Sequence, residues 1–268
     1  MVLVSALKWK VLVDFLGGTT SLLKLYGLYL VGYYTNLLLP SYLGGDVVRS
    51  YYVGKSVGQS SAAAATVLER YTGIVAVIIL ALISSFILDS VNWVMRLWIL
   101  LLCLGILFIS VVTLSKKFSL LVRKIPFGKS SSAQKIFNTF DKLTDGFRLV
   151  ASNRNLLLEV FLLSFLFHGL TVINTLACAY AVGWQNPPFW GLSMVIPTIL
   201  IISAIPVSPQ GIGIQEGAFV FFLTHVGATA EQALGIALIL RAKSYVLAIF
   251  GGGLYHLGSK LLLSSNSK

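Results

Sequence analysis

Pro206-Val207-Ser208-Pro209-Gln210-Gly211-Ile212-Gly213-Ile214-Gln215-Glu216-Gly217 lies between two long apolar runs, about Phe189 to Ile205 and Ala218 to Val226. Its two prolines and three glycines break any helix, and Glu216 stands where the next helix should begin. Between apolar runs of this length, broken backbone persists only where protein buries it or where it lines a polar cavity. Discontinuous helices of this kind are where membrane transporters commonly hold their cargo.

A second stretch has the same character. Asn36-Leu37-Leu38-Leu39-Pro40-Ser41-Tyr42-Leu43-Gly44-Gly45-Asp46-Val47-Val48-Arg49 runs from apolar helix through proline and glycines to an acid, and then to apolar helix again. Two punctuated elements near opposite ends, each with a carboxylate just past its glycines, make a weak internal repeat.

Composition sets the environment. The 268 residues are 57% hydrophobic and only 11% charged, with mean hydropathy +0.88. Soluble domains carry about 25% charged residues, so the chain reads as one polytopic all-α membrane domain over residues 1–268. The net charge of +11 does not point to nucleic acid, because nine of the 20 basic residues fall between Lys116 and Arg154, opposed only by Asp141 and Asp145. Positive loops stay in the cytoplasm, which makes 116–154 the expected cytoplasmic segment of a multi-pass plasma-membrane protein. Its apolar residues recur at helical spacing, which fits amphipathic helices on an anionic inner leaflet; a solvated loop is the alternative.

The remaining runs follow in order. Met1 to Leu16, with Lys8-Trp9-Lys10 placed at the interface, reads as the tail of a spanning helix whose beginning is missing. Leu22 to Leu39 either crosses, or enters part-way, breaks at 40–46 and returns. The re-entrant reading keeps Lys8, Lys10, Lys24 and Lys55 on one side and is favoured. Ile74 to Leu88 crosses to an external Asp89–Asn92 connection, and Trp93 to Leu114 returns. Leu156 to Val182 crosses again to an uncharged, interfacial Gly183–Pro188. Phe189 to Val226 contains no base, so it can enter from outside and return there, opposite in orientation to the first hairpin, as inverted repeats require. Glu231 to Leu263 is either one long helix or two joined at Arg241, with Gly251-Gly252-Gly253 allowing close packing.

Ionisable residues at membrane depth cost about 2.5–3.5 kcal/mol each at a helix centre, so they pair or face a cavity. Asp46 and Arg49 are spaced for a local ion pair. Glu69 and Arg70 are adjacent, so one or both should seek partners elsewhere, and Glu216 and Arg241 come from the second half. Either these residues lock the bundle, or Arg49, Arg70 and Arg241 meet an anionic headgroup that Asp46, Glu69 and Glu216 orient. Arginine's planar fork suits phosphate, and amides near Gly44-Gly45 and Gly211–Gly213 would add to such a site; an acid there would also suit a cationic headgroup, so the residues leave the headgroup's charge open. No residue set suggests catalysis, a metal or another cofactor. His168, His225 and His256 lack ligand spacing, and Cys103 and Cys178 lie in apolar runs.

Asn36-x3-Pro40 with Gly44-Gly45-Asp46-Val47-Val48-Arg49, then Glu69-Arg70-x2-Gly73, then Pro206-x-Ser208-Pro209-x-Gly211-x-Gly213-x2-Glu216-Gly217 with Arg241, resembles the lysylphosphatidylglycerol synthase transmembrane-region family. That flippase-like family includes the membrane half of the bacterial multiple peptide resistance factor and the membrane part of an archaeal dolichol-linked glycosylation protein. The resemblance covers nearly the whole chain. It implies binding and translocation of a lipid with a polar, phosphate-bearing headgroup, at a site that includes Asp46, Arg49, Glu69, Arg70, Gly211, Gly213, Glu216 and Arg241. The alternative is the membrane component of a lipid-modifying aminoacyl or glycosyl transferase, or a scaffold for a separate synthase. An initial helix and the soluble lysyltransferase domain of the fused synthases are not found in this sequence, so lysyl transfer is not expected of it.

Overall fold

The computed structural model describes residues 1–39, 44–88, 144–146, 148–203 and 208–257, with scattered positions between 93 and 108. The expectations for Pro40 to Leu43, Pro206-Val207, Asp89–Asn92, Cys103, most of 116–154 and the end of the last run lie outside these residues. Regular structure among the described residues is helical throughout, as an all-α membrane bundle requires.

Four helices come first: α1 (Val2–Phe15), α2 (Leu22–Leu38), α3 (Gly44–Val57) and α4 (Gln59–Ile87). Four more follow: α5 (Arg154–Ala181), α6 (Phe189–Ser203), α7 (Ile214–Thr224) and α8 (Ala230–Leu257), with a 3-10 turn at Pro209–Gly211 between α6 and α7. Side chains cap several starts. Ser21 Oγ accepts from Lys24 N at 3.3 Å, and Asn153 Oδ1 accepts from Leu156 N at 3.1 Å, each serving an amide that the helix leaves without a partner. At about 1.5 Å per residue, the 29, 28 and 28 residues of α4, α5 and α8 exceed the about 30 Å of bilayer hydrocarbon. These three helices are long and apolar enough to cross a membrane.

Two sequence expectations change and one open alternative is decided. The spanning run expected from Ile74 is one continuous helix from Gln59, because Ala62, Ala64 and Ala65 are good helix formers that pack closely and Glu69 finds partners inside. The last region, open between one helix and two, is among its described residues a single helix that runs unbroken through Arg241. Trp184, expected at an interface, is buried against the α5–α8 core; a turn with left-handed Gly183 (φ 76°) and Asn186 (φ 53°) carries it inward.

The core divides in two. One cluster joins α1 to α4 with the first turns of α5 around Trp9, Leu12, Leu25 and Leu28. The other joins α5 to α8 around Leu192, Ile199, Phe219 and Ile236. Within each half the helices pack in a matching order: α2 on α3 and α3 on α4, then α6 on α7 and α7 on α8. Between halves the partners are exchanged, since α8 packs on α2 and α4 packs on α6. Where lipid is as apolar as leucine, such contacts depend on close approach of small residues. Two glycines provide it. A Cβ on Gly251 would lie 1.9 Å from the Leu30 carbonyl oxygen, and one on Gly45 would lie 2.4 Å from that of Gly32.

Candidate functional site

The start of α3 is drawn against α2. Asn36 Oδ1 accepts from Gly45 N at 2.6 Å, and Gly45 lies against the Gly32 backbone. That approach places Asp46 in the first turn of α3, where a carboxylate also suits the helix dipole. Asp46 accepts a two-pronged pair from Arg70, Nε to Oδ2 at 2.6 Å and Nη2 to Oδ1 at 2.8 Å. It also accepts from Arg49 Nε at 3.1 Å. Arg49 Nη2 reaches across to Glu69 Oε2 at 2.7 Å. Its guanidinium carbon lies 4.5 Å from the Trp9 ring centre and 4.2 Å from that of Tyr29, so two aromatic faces hold it. Tyr29 donates to the other oxygen of Glu69, and Lys8 Nζ donates to the Glu69 backbone carbonyl at 2.7 Å.

Access separates these groups. Arg49 is 1% exposed and Lys8 5%, whereas the Arg70 side chain is 55% exposed while it grips Asp46. Three cations (Lys8, Arg49, Arg70) meet two carboxylates (Asp46, Glu69), so the set carries an excess positive charge.

A second set forms at the other break. Gln210 (φ 50°), Gly211 (φ 63°) and Gly213 (φ 84°) turn the chain sharply into α7. Gly213 takes this left-handed conformation without a Cβ penalty. Glu216 Oε2 accepts from Gly213 N at 2.8 Å, closing the helix start. Its other oxygen takes the Nε of Arg241 from α8. Arg241 Nη2 also donates to Gln215 Oε1 at 3.2 Å and approaches the Gly211 carbonyl at 3.5 Å.

The structure therefore brings Asp46, Arg49, Glu69 and Arg70 into one set, and Gly211, Gly213, Glu216 and Arg241 into another. The two sets are built alike. In each, an acid of the first turn after a break pairs with an arginine of the next long helix, 24 residues on for Asp46 and Arg70 and 25 for Glu216 and Arg241. Helix α2 touches both, through Asn36 and Tyr29 on one side and through the Pro209–Gly211 turn on the other. Adjacent Glu69 and Arg70 both find partners on α3, one through Arg49 and one through Asp46. Sequence reading missed Lys8, Trp9, Tyr29 and Gln215. Lys8 had been placed at an interface; its position in the middle of an apolar helix was the signal available.

One groove lies apart from the ionic sets. A groove of about 770 Å³ runs between α2 and α8, lined by Tyr26, Leu30, Leu247, Phe250, Gly253 and Leu254. On the same two helices, Tyr34 Oη and His256 Nε2 lie 3.0 Å apart, beside Tyr255. Its walls suit an acyl chain and offer no charge for a headgroup.

The family model described as "Lysylphosphatidylglycerol synthase TM region" matches residues 1–252. A UPF0104 membrane protein of Methanothermobacter thermautotrophicus is 19% identical over 265 residues, covering 90% of this chain and 75% of that protein. UPF0104 membrane protein MJ1078 of Methanocaldococcus jannaschii is 26% identical over 244 residues, covering 86% of this chain and 96% of its own. No solved structure matches the chain.

Proposed function

Because the chain belongs to the lysylphosphatidylglycerol synthase transmembrane-region family, we propose that it binds a lipid through a phosphate-bearing headgroup and moves it across the bilayer. The observation that carries this reading is the excess positive charge among Lys8, Asp46, Arg49, Glu69 and Arg70, with Arg70 as its accessible member. A set meant only to lock helices reaches lowest energy when neutral, since an uncompensated buried charge is expensive. An anion arriving at Arg70 would balance the charge, and a planar guanidinium already aligned by Asp46 presents its remaining N–H groups to phosphate oxygens. Arg241, held by Glu216 and Gln215, would be the corresponding group at the second break. The groove between α2 and α8 would take an acyl chain. Transport is favoured over group transfer because Asp46 and Glu216, the two carboxylates a transferase would need as a base, are each engaged by arginine. A carboxylate held that way is a weak base.

The test is reconstitution in phosphatidylcholine liposomes containing a trace of head-labelled fluorescent phosphatidylglycerol, with dithionite bleaching to report the outer leaflet. Wild-type protein should expose the inner-leaflet label within minutes, and Arg70→Gln should reduce that rate at least tenfold while remaining folded. Equal rates for the two proteins would remove Arg70 from the site. No movement with any labelled lipid would sink the transport reading.

A further inference from the structure

Several bases at membrane depth have an acceptor. Lys8 Nζ donates to Glu69 O at 2.7 Å, and His168 Nε2 lies 3.0 Å from Gly73 O. These two side chains meet over Gly73, whose Cβ would stand 3.6 Å and 3.7 Å from them. Arg241 is held by Glu216. Lys243 is different. It stands at the middle of α8, about 20 Å from either end, and has no hydrogen bond or ion pair among the described residues. An ammonium at that depth without an anion is costly, and such residues mark the paths of charged ligands. Arg241, two positions earlier, points to α7. Two residues turn a helix by about 200°, so Lys243 points to the other side of α8, towards α5.

Its surroundings there follow from contacts along the seam. Gln232 Nε2 donates to the Gly183 carbonyl at 3.2 Å, a Cβ on Gly235 would meet Val182 at 3.0 Å, and Lys243 lies within electrostatic reach of Cys178. Moving down α8 thus means moving back along α5, and the two helices are antiparallel here. One turn further back along α5, on the face that carries Cys178, is Asn174. Its Nδ2 is buried without a hydrogen-bond partner. The two unserved groups of this seam, an ammonium and an amide, are both donors, and an anion with several oxygens would serve both. Ile239 and Val246, one turn to either side of Lys243, and Ile173, next to Asn174, are exposed. The seam therefore borders the apolar surface that lipid covers.

From this juxtaposition we infer that Lys243 and Asn174 form a transit site for the phosphate of a lipid headgroup, at mid-bilayer between α5 and α8. The inference rests on the transport reading above and adds a station to it. A headgroup that crosses the bilayer must pass the depth at which Lys243 stands, where a charge is least tolerated. Arg70 and Arg241 are each gripped by a carboxylate. Lys243 has none to displace, so its N–H groups are open to phosphate oxygens, and Asn174 offers a further donor on the facing helix. Apolar side chains around the seam suit acyl chains rather than water, which makes a lipid, not a dissolved anion, the source of the phosphate.

The test uses the same liposomes and label. Lys243→Met should slow movement of phosphatidylglycerol by about tenfold, the effect of losing one charge-assisted hydrogen bond at the barrier. Its melting temperature should hold or rise, because an unpaired ammonium has left the membrane. Lys243→Arg keeps the charge and should move lipid faster than Lys243→Met. Asn174→Asp supplies an internal anion for Lys243, so it should raise the melting temperature and slow movement by filling the site. Inorganic phosphate in the buffer should change none of these rates. A wild-type rate in Lys243→Met, a melting temperature that falls with its rate, no gain from Lys243→Arg over it, or Asn174→Asp lacking either effect would each overturn the site and leave transport standing. Slowing of the wild type by inorganic phosphate, lost in Lys243→Met, would overturn the headgroup assignment in favour of a dissolved anion. Absence of lipid movement in every protein, wild type included, would instead remove transport, and this station with it.

Discussion

Arg49 and Arg70 are both arginines on one ionic set, yet their surroundings assign them different work. Arg49 is enclosed, stacked between Trp9 and Tyr29 and bonded to carboxylates of α3 and α4. Removing one partner of such a buried pair costs about 3–5 kcal/mol, because the remaining charges lose compensation. Arg49→Ala should therefore lower the melting temperature in detergent sharply, or prevent purification. Arg70 is largely exposed, and Asp46 retains Arg49 when Arg70 is gone, so Arg70→Gln should cost about 1 kcal/mol or less. Thermal unfolding followed by tryptophan fluorescence separates the two, and equal losses would mean that Arg70 is as structural as Arg49. Tyr29→Phe tests the same set at a single bond. It leaves the ring under Arg49 and removes the donor to Glu69, for an expected loss of about 1–3 kcal/mol by the same measurement.

At the scale of elements, the glycine run of α8 divides by what each residue meets. Gly251 touches the α2 backbone, whereas Gly253 has nothing within 4 Å of its would-be Cβ. Gly251→Ala should push α2 and α8 apart, since a carbonyl at 1.9 Å is not a side chain that swings away, and overpacking of this kind costs about 1–3 kcal/mol. Gly253→Ala should be neutral or stabilising by up to about 1 kcal/mol through helix propensity. The melting temperature should fall for Gly251→Ala and hold or rise for Gly253→Ala; a matching fall would place Gly253 in the interface too. Asn36 acts between elements, holding the Gly45 amide at the entrance to α3. Asn36→Ala should cost about 0.5–2 kcal/mol, as loss of a cap does, and should also loosen Asp46 one residue further on. A loss of headgroup binding larger than the loss of stability would show that positioning.

Among the described residues, α1 to α4 and α5 to α8 repeat one packing order, with the ionic pairs at equivalent places. The halves hold each other by exchange, α8 on α2 and α4 on α6. Charge placement gives an expected orientation in the membrane. Nine bases between Lys116 and Arg154, against none in Asp89–Asn92 or Gly183–Pro188, make the cytoplasm the expected side for the first segment. In intact cells, an impermeant maleimide should modify Ser90→Cys and leave Ser131→Cys untouched until the cells are opened. The reverse pattern would invert the topology.

Hydropathy and glycine chemistry determined from the sequence alone that this is a helical membrane protein whose chain turns sharply at Gly211–Gly213, because both act within a few residues. The same local logic placed Glu216 in the first turn of a helix and paired Asp46 with Arg49. Tertiary structure alone decided that Lys8 is enclosed rather than interfacial, that Arg49 joins Glu69 while Arg70 joins Asp46, and that α8 is continuous through Arg241. Tertiary structure also decided that His168 meets Lys8 over Gly73. Those outcomes depend on which helices come together and how near small residues let them approach. The energy of a buried charge is set by partners 20, 61 or 95 positions away, and no window along the chain contains them.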